Sequence, residues 1–323
     1  MNAQDANLPM WIRTKNGVAF SDVPERPGGR VPDFCIIGAA KCATTTINAL
    51  LEMHPGVFMN PLKEPHFFST EVQYARGMGW YKGLHADALD QQVVGEASTS
   101  YARYPFTSNV PERIAAANPQ MKILYIVREP VERLESACLQ TLKYVRYVLE
   151  EDVQFRDLDD LLDQLSDPAS DMYQGATAAS EYATQIEQYE AHFPEAQIKV
   201  LFYDDFRRDR DAFLKRICRF IGVDDGFVFP AAILENQTKP FLDGLERERA
   251  AGKLKQVPGA QMIKRLMPRK LRNLAVDLVR GGTKPQVMQF SMQRRRKLAE
   301  HFQPHNRKLL KWVEGGPIPW VDG

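Results

Sequence analysis

Short apolar runs separated by polar, glycine- and proline-bearing stretches set the rhythm of this chain from residue 33 onward. Phe34 to Ile37, Val57 to Met59, Val93 to Ala97, Lys122 to Val127 and Ile198 to Phe202 read as strands, too short and too apolar to be solvent-facing helices. Between the last two the period changes. After Pro130, a residue suited to a first helical turn, the residues Val131, Leu134, Cys138, Leu142, Val145 and Leu149 recur every three or four positions, which predicts a helix with one face on a sheet. A further helix is predicted from Ser180-Glu181-Tyr182-Ala183 to His192-Phe193-Pro194. Strands and helices alternate from residue 33 to 222 without a break in composition. That pattern predicts one doubly wound α/β domain, a parallel sheet covered by helices on both faces. Residues 1–30, polar and rich in proline and glycine, read as an extension to a domain spanning 31–323, whose helical, basic closing portion begins near residue 260.

The first strand runs into Gly38-Ala39-Ala40-Lys41-Cys42-Ala43-Thr44-Thr45-Thr46 and then a helix. A helix start leaves backbone N–H groups unpaired and carries the positive end of the dipole, so Lys41 and three threonine hydroxyls there make an anion site. The ATP-binding loop G-x-x-x-x-G-K-[ST] puts its lysine directly before the hydroxyl residue, whereas Lys41 precedes Thr44 by three. A phosphate other than that of ATP is therefore in view. The alternative for this segment is a basic turn that caps a helix through Thr44. Arg128 stands at the end of the fourth strand, where ligands of open α/β sheets bind, and Ser136 follows eight residues later. Its alternative is an ion pair with Glu129 or Glu132. Asn60-Pro61-Leu62-Lys63-Glu64-Pro65-His66-Phe67-Phe68 joins a carboxylate and an imidazole to two aromatic rings, and apolar surroundings raise a carboxyl pKa towards the range of a general base.

The run Lys41-Cys42-Ala43-Thr44-Thr45 resembles the 5′-phosphate loop of sulfotransferases that use 3′-phosphoadenosine 5′-phosphosulfate (PAPS), with Ala43 where that family usually has glycine. Arg128 and Ser136 have the spacing of the same family's 3′-phosphate motif. Glu64-Pro65-His66-Phe67-Phe68 is similar to the Glu-x-His-Phe-Phe segment of the heparan sulfate 3-O-sulfotransferase branch, although Ser69 replaces the acidic residue that follows there. Glu96-Ala97-Ser98-Thr99-Ser100-Tyr101 is similar to a Glu-Lys-Thr/Ser-Pro-x-Tyr segment, with Ala97 in place of the lysine and Ser98 or Ser100 as the polar groups left nearby. Tyr182 matches the tyrosine of a Gly-x-Tyr element, and Leu298 to Trp312 looks like the terminal helix of the family's bacterial members. The resemblance implies a P-loop-like fold and sulfuryl transfer to a hydroxyl or amine of a small molecule or glycan. It assigns Glu64 as base, His66 as its neighbour, and Lys41 to both catalysis and cofactor. Cofactor binding falls to Cys42, Ala43, Thr44, Thr45, Thr46, Arg128, Ser136 and Tyr182, with no metal; the product nucleotide is 3′-phosphoadenosine 5′-phosphate (PAP). An ATP-using kinase of related fold and a non-catalytic binding homologue are the alternatives.

Composition alters this picture little. With 323 residues, 44% hydrophobic and 26% charged, the chain can bury a full core, and its formal net charge is +1. Four cysteines, Cys35, Cys42, Cys138 and Cys218, lack metal-binding spacing and fit a reducing compartment, and with no apolar stretch long enough to span a membrane the expected location is the cytoplasm. Cys42, beside Lys41 at a helix start, is the one candidate for an ionised thiol. Charge is uneven: nine acidic residues and one basic lie between Glu150 and Asp171, eleven basic and one acidic between Lys264 and Lys297. Such runs are either solvated helix faces or working surfaces. The acidic one offers a rim for a cationic or neutral acceptor, and the basic one a contact for the anionic cofactor, an acidic partner or a membrane surface. No nucleic-acid-binding motif accompanies them.

Overall fold

A computed structural model describes residues 13–14, 17–18, 22–147, 154–166, 175–230, 288–314 and 316–322. The chain divides into two compact units, residues 1–231 with 290–323 and residues 232–289. Every element named below belongs to the first.

Five parallel strands form its sheet: β1 (Phe34–Gly38), β2 (Val57–Met59), β3 (Val93–Ala97), β4 (Lys122–Val127) and β5 (Ile198–Phe202). Their order is β2-β3-β1-β4-β5, so the chain passes from β1 to the edge strand β2, returns to β3 between the two, and then crosses β1 to build the other side. β1 and β4 are buried almost throughout, as unbroken apolar runs require when helices cover both faces of a parallel sheet. At the centre of the sheet Phe34 lies flat against Gly95. A Cβ on Gly95 would stand 2.2 Å from the Phe34 ring, so this strand position admits no side chain.

The flanking helices are α1 (Thr44–Glu52), α2 (Val110–Ala117), α3 (Pro130–Tyr147), α4 (Leu158–Ser166), α5 (Tyr182–Glu190), α6 (Arg210–Ile221) and α7 (Met292–Arg307). α3 starts at the expected proline because the carboxylate of Glu129 accepts from the N–H groups of Val131 and Glu132, at 3.1 and 2.6 Å. Val131, Leu134, Cys138, Leu142 and Val145 form its buried stripe, and Leu149 lies outside the described residues. The terminal helix begins earlier than its apolar pattern suggests, because Ser291 caps it at the N–H of Arg294 and its first turns are basic rather than apolar. It gives way at Lys308 to a tighter turn that ends at Trp312.

That basic helix explains part of the acidic run. Arg294 pairs with Asp163 at 2.7 Å, the backbone N–H and hydroxyl of Ser291 both reach Asp159, and Arg295 pairs with Glu135 at 2.6 Å. Asp159 and Asp163 thus join α4 to α7 and are not a rim for an acceptor. Asp160 pairs with Arg156 at 3.5 Å and Asp157 accepts from the N–H of Asp160, while residues 150–153 and 167–171 of the acidic run and the basic run up to residue 287 lie outside the described residues. Among the described helices none is long and apolar enough to cross a membrane.

Candidate functional site

Four loops meet at the carboxyl ends of the strands. The loop after β1 turns through two left-handed residues, Lys41 at φ 74° and Ala43 at φ 60°, and delivers the chain into α1. Ala43 is the N-cap, and no side chain caps the helix, so the alternative of a cap through Thr44 is not what the loop makes. A left-handed residue in that place is one glycine would fill without strain, and alanine holds it at a cost of about 1–2 kcal/mol. The uncapped helix start, with Thr44 buried, Thr46 half-buried and Thr45 exposed, presents first-turn N–H groups and hydroxyls together.

Lys41 is the hub. Its ammonium donates to Gln140 Oε1 of α3 at 3.3 Å. Burial first, then the neighbouring charges of Lys143 and Arg128, push its pKa down, while Glu64 pulls it up. Lys41 is thus repelled by two further cations, and a ligand carrying phosphate charge relieves that repulsion. Lys41, the start of α1 and Arg128 are the groups here that could hold a ligand with phosphate groups.

Arg128 follows directly on β4. Its guanidinium pairs with Glu132 at 2.7 Å and stands 5.3 Å from the centre of the Tyr203 ring. Its carbonyl accepts from the hydroxyl of Tyr182 at 2.7 Å. Tyr182 is fully buried and braces the loop from behind through this bond. Ser136 is half-buried, on the same stripe of α3 as Gln140 and Lys143. Cys42 is buried, and burial pushes its thiol up to about 12, so it stays protonated and is no nucleophile.

Opposite Lys41, the loop after β2 is fastened to the end of β3. The N–H of Asn60 donates to Gly95 O at 2.9 Å, that of Glu64 to Ala97 O at 3.0 Å, and that of His66 to Ser98 Oγ at 3.2 Å. These bonds hold Glu64 (φ 60°) and His66 (φ 54°) in left-handed conformations, each costing about 1–3 kcal/mol for a residue with a side chain. Ser98 in turn donates to the wholly buried Glu96 at 2.6 Å, which also accepts from the hydroxyls of Tyr81 and Tyr101. Burial raises the carboxyl of Glu96, and those three donors hold it in check.

Glu64 itself lies 2.5 Å from Lys63 Nζ through one oxygen; through the other it lies 3.2 Å from Thr99 Oγ1 and 3.7 Å from His66 Nε2. The sequence suggests a carboxyl raised by apolar surroundings, but the balance runs the other way. Burial is the largest influence and pushes upward, yet the charges of Lys63 and His66 with the hydrogen bonds from Lys63 and Thr99 outweigh it, leaving Glu64 below its ordinary value. His66 is pushed down to about 4, chiefly by burial and further by Lys63 and Arg103, against the pull of Glu64. At neutral pH the pair is therefore a carboxylate beside a neutral imidazole. Glu64, His66, Thr99, Ser100 and Arg103 line a cavity of about 40 Å³.

Lys41, Arg128, Glu64 and His66 are thus gathered at one end of the sheet, while Tyr182 is not part of the surface they make. Lys63, Thr99, Arg103, Gln140 and Lys143 were not singled out by sequence. Gln140 and Lys143 follow Ser136 by four and seven residues, and that spacing alone places them on its face of the helix. Arg103 carries no comparable signal.

A family model for a sulfotransferase domain matches residues 31–235. Heparan sulfate glucosamine 3-O-sulfotransferase 3A1 of Mus musculus is 30% identical over 230 residues, covering 69% of this chain and 53% of that protein. Heparan sulfate glucosamine 3-O-sulfotransferase 5 of Homo sapiens is 31% identical over 172 residues, 53% of this chain and 48% of that protein. The chain spans about half the length of these relatives. Among solved structures, a sulfotransferase from Alicyclobacillus acidocaldarius superposes with a TM-score of 0.53 at 28% identity, over 67% of this chain and 91% of that one.

Proposed function

The chain belongs to the sulfotransferase domain family, and from that premise we propose that it transfers a sulfuryl group from PAPS to a hydroxyl or amine of a small molecule or glycan. The observation that supports this reading is the uncapped start of α1 beside Lys41, a half-buried lysine that donates to Gln140 and feels the charges of Lys143, Arg128 and Glu64. PAPS, when bound, supplies a sulfuryl group on a phosphate whose bridging oxygen departs with the bonding pair. Glu64 receives the proton that the acceptor loses, and it is ionised at neutral pH because Lys63 and Thr99 hold it so. Lys41 and the N–H groups at the start of α1 set positive charge where negative charge grows on the departing oxygen. Arg128 gives preference for a nucleotide with a 3′-phosphate. Positioning and fixed charge do most of the work, as in phosphoryl transfer.

Names of the relatives favour a glycan acceptor, while Ala97, in place of a lysine, leaves one cation fewer beside the reacting centre. The test of the cofactor is calorimetric binding of PAP against ATP and adenosine 5′-phosphosulfate, with wild type and Arg128→Ala. Preference for PAP in the wild type, lost in the variant, is expected; preference for ATP would overturn the reading. Sulfate transfer across a panel of sugars, phenols and amines then identifies the acceptor.

A further inference from the structure

Glu64, His66 and Phe68, alternate residues of the loop after β2, each donate a backbone N–H to the end of β3 or the turn that follows it. The N–H of Glu64 goes to the carbonyl of Ala97 at 3.0 Å, that of His66 to Ser98 Oγ at 3.2 Å, and that of Phe68 to Tyr101 Oη at 3.3 Å. The acceptors differ in kind. A strand carbonyl has a fixed direction, whereas a hydroxyl rotates and offers a settled lone pair only when its own proton is held elsewhere. Because a backbone N–H can only donate, Ser98 and Tyr101 both accept here and send their protons on. Both protons go to one group: Ser98 donates to Glu96 Oε1 at 2.6 Å and Tyr101 to Glu96 Oε2 at 3.3 Å.

Glu96 is wholly buried and acts on the loop through these two hydroxyls. The hydroxyl of Tyr81 also donates to Oε2, and three donors on two oxygens favour the charged carboxylate. Glu64 and His66 stand at positive φ, a strained conformation that persists only while such bonds hold it. We propose that Glu96 is a positioning residue for the transfer: by taking the protons of Ser98 and Tyr101 it makes both hydroxyls fixed acceptors for the N–H groups of His66 and Phe68, and so keeps Glu64 and His66 at the cavity they line with Thr99 and Arg103. The effect on turnover rests on the sulfotransferase reading above, whereas the relay rests on geometry alone.

Amide hydrogen exchange in the full ¹⁵N-labelled chain reads the relay without turnover, and deleting single hydroxyls separates it from packing. Tyr101→Phe keeps the ring and should speed exchange at Phe68 about tenfold, and Ser98→Ala should do the same at His66. Glu96→Gln leaves one oxygen to accept, so at least one hydroxyl must turn its proton away and at least one of the two amides should lose protection. Tyr81→Phe removes a donor from the same carboxylate but touches neither arm, and both amides should stay as protected as in the wild type. Turnover should follow the amides. In Tyr101→Phe, Ser98→Ala and Glu96→Gln it should fall about ten- to a hundredfold with the KM for PAPS unchanged, since Lys41 and Arg128 sit on other loops, and in Tyr81→Phe it should stay near the wild-type value. Unchanged exchange at both amides in Glu96→Gln would overturn the relay, and equal losses of turnover in Tyr81→Phe and Tyr101→Phe would reduce Glu96 to a structural role. A wild type with the expected exchange pattern that binds no PAP would refute the sulfotransferase reading and leave the relay standing.

Discussion

Lys41 and Glu64 face one another from two loops, and their substitutions should fail in different ways. Lys41→Ala removes a charge placed where negative charge develops, a loss of about 3 to 4 kcal/mol in comparable sites, so turnover should fall about a hundredfold or more in a sulfate-transfer assay. Glu64→Gln should abolish transfer while calorimetry finds PAP binding nearly unchanged, and a fully active variant would move the base role elsewhere. Since Glu64 lies below its ordinary pKa, the carboxylate persists as pH falls, and the acid limb of turnover should lie below the usual carboxylate value near 4.5. Ala43 was legible as a departure from a glycine pattern, but only its φ of 60° gives that departure a physical cost. Ala43→Gly should therefore stabilise the fold by about 1 kcal/mol in denaturant unfolding, and an unchanged midpoint would mean the loop relaxes. The direction of the Glu64 shift was beyond sequence because its causes, Thr99 and His66 in particular, are brought up by different loops or by an unusual turn.

At the scale of elements, apolar runs gave the strands and the three-or-four spacing gave α3, because burial on a parallel sheet demands those patterns whatever the partners are. The ends of helices were less legible. Ser291 starts α7 ahead of its apolar residues, and Ala43 starts α1 without a side-chain cap. Within the sheet, Gly95→Ala drives a Cβ into the Phe34 ring at 2.2 Å, and with Met59 Sδ at 2.8 Å on the other side neither neighbour has room to yield. Overpacking of that kind typically costs about 1–3 kcal/mol, measurable as a lowered unfolding midpoint with an unchanged denaturant slope. The acidic run is the counter-example to reading charge from sequence. Its place between α4 and α7 depends on Arg294 and Ser291, which lie more than a hundred residues away.

For the molecule as a whole, two buried histidines contribute to the response to acid. Burial pushes both His66 and His85 down to about 4 from an ordinary 6.5. The unfolded chain takes up protons as pH falls through 6.5 while the folded one does not, so stability is full above 6.5 and drains away until about pH 4. Each site is worth up to about 3 kcal/mol by this linkage. Unfolding followed from pH 7 to 4 should record the fall, and His85→Gln should make it shallower without touching the cluster around Lys41; an unaltered slope would assign the acid sensitivity to other groups. The sequence by itself determined the order of strands and helices, the family, and the loops that carry Lys41, Glu64 and Arg128, because periodicity and motif spacing are local along the chain. Only the tertiary structure decided that Lys143 and Gln140 reach Lys41, that Tyr182 turns inward to brace Arg128, and that Glu64 is lowered rather than raised. Electrostatics and burial depend on distances between loops that the winding of the sheet brings together, and no single stretch of sequence records them.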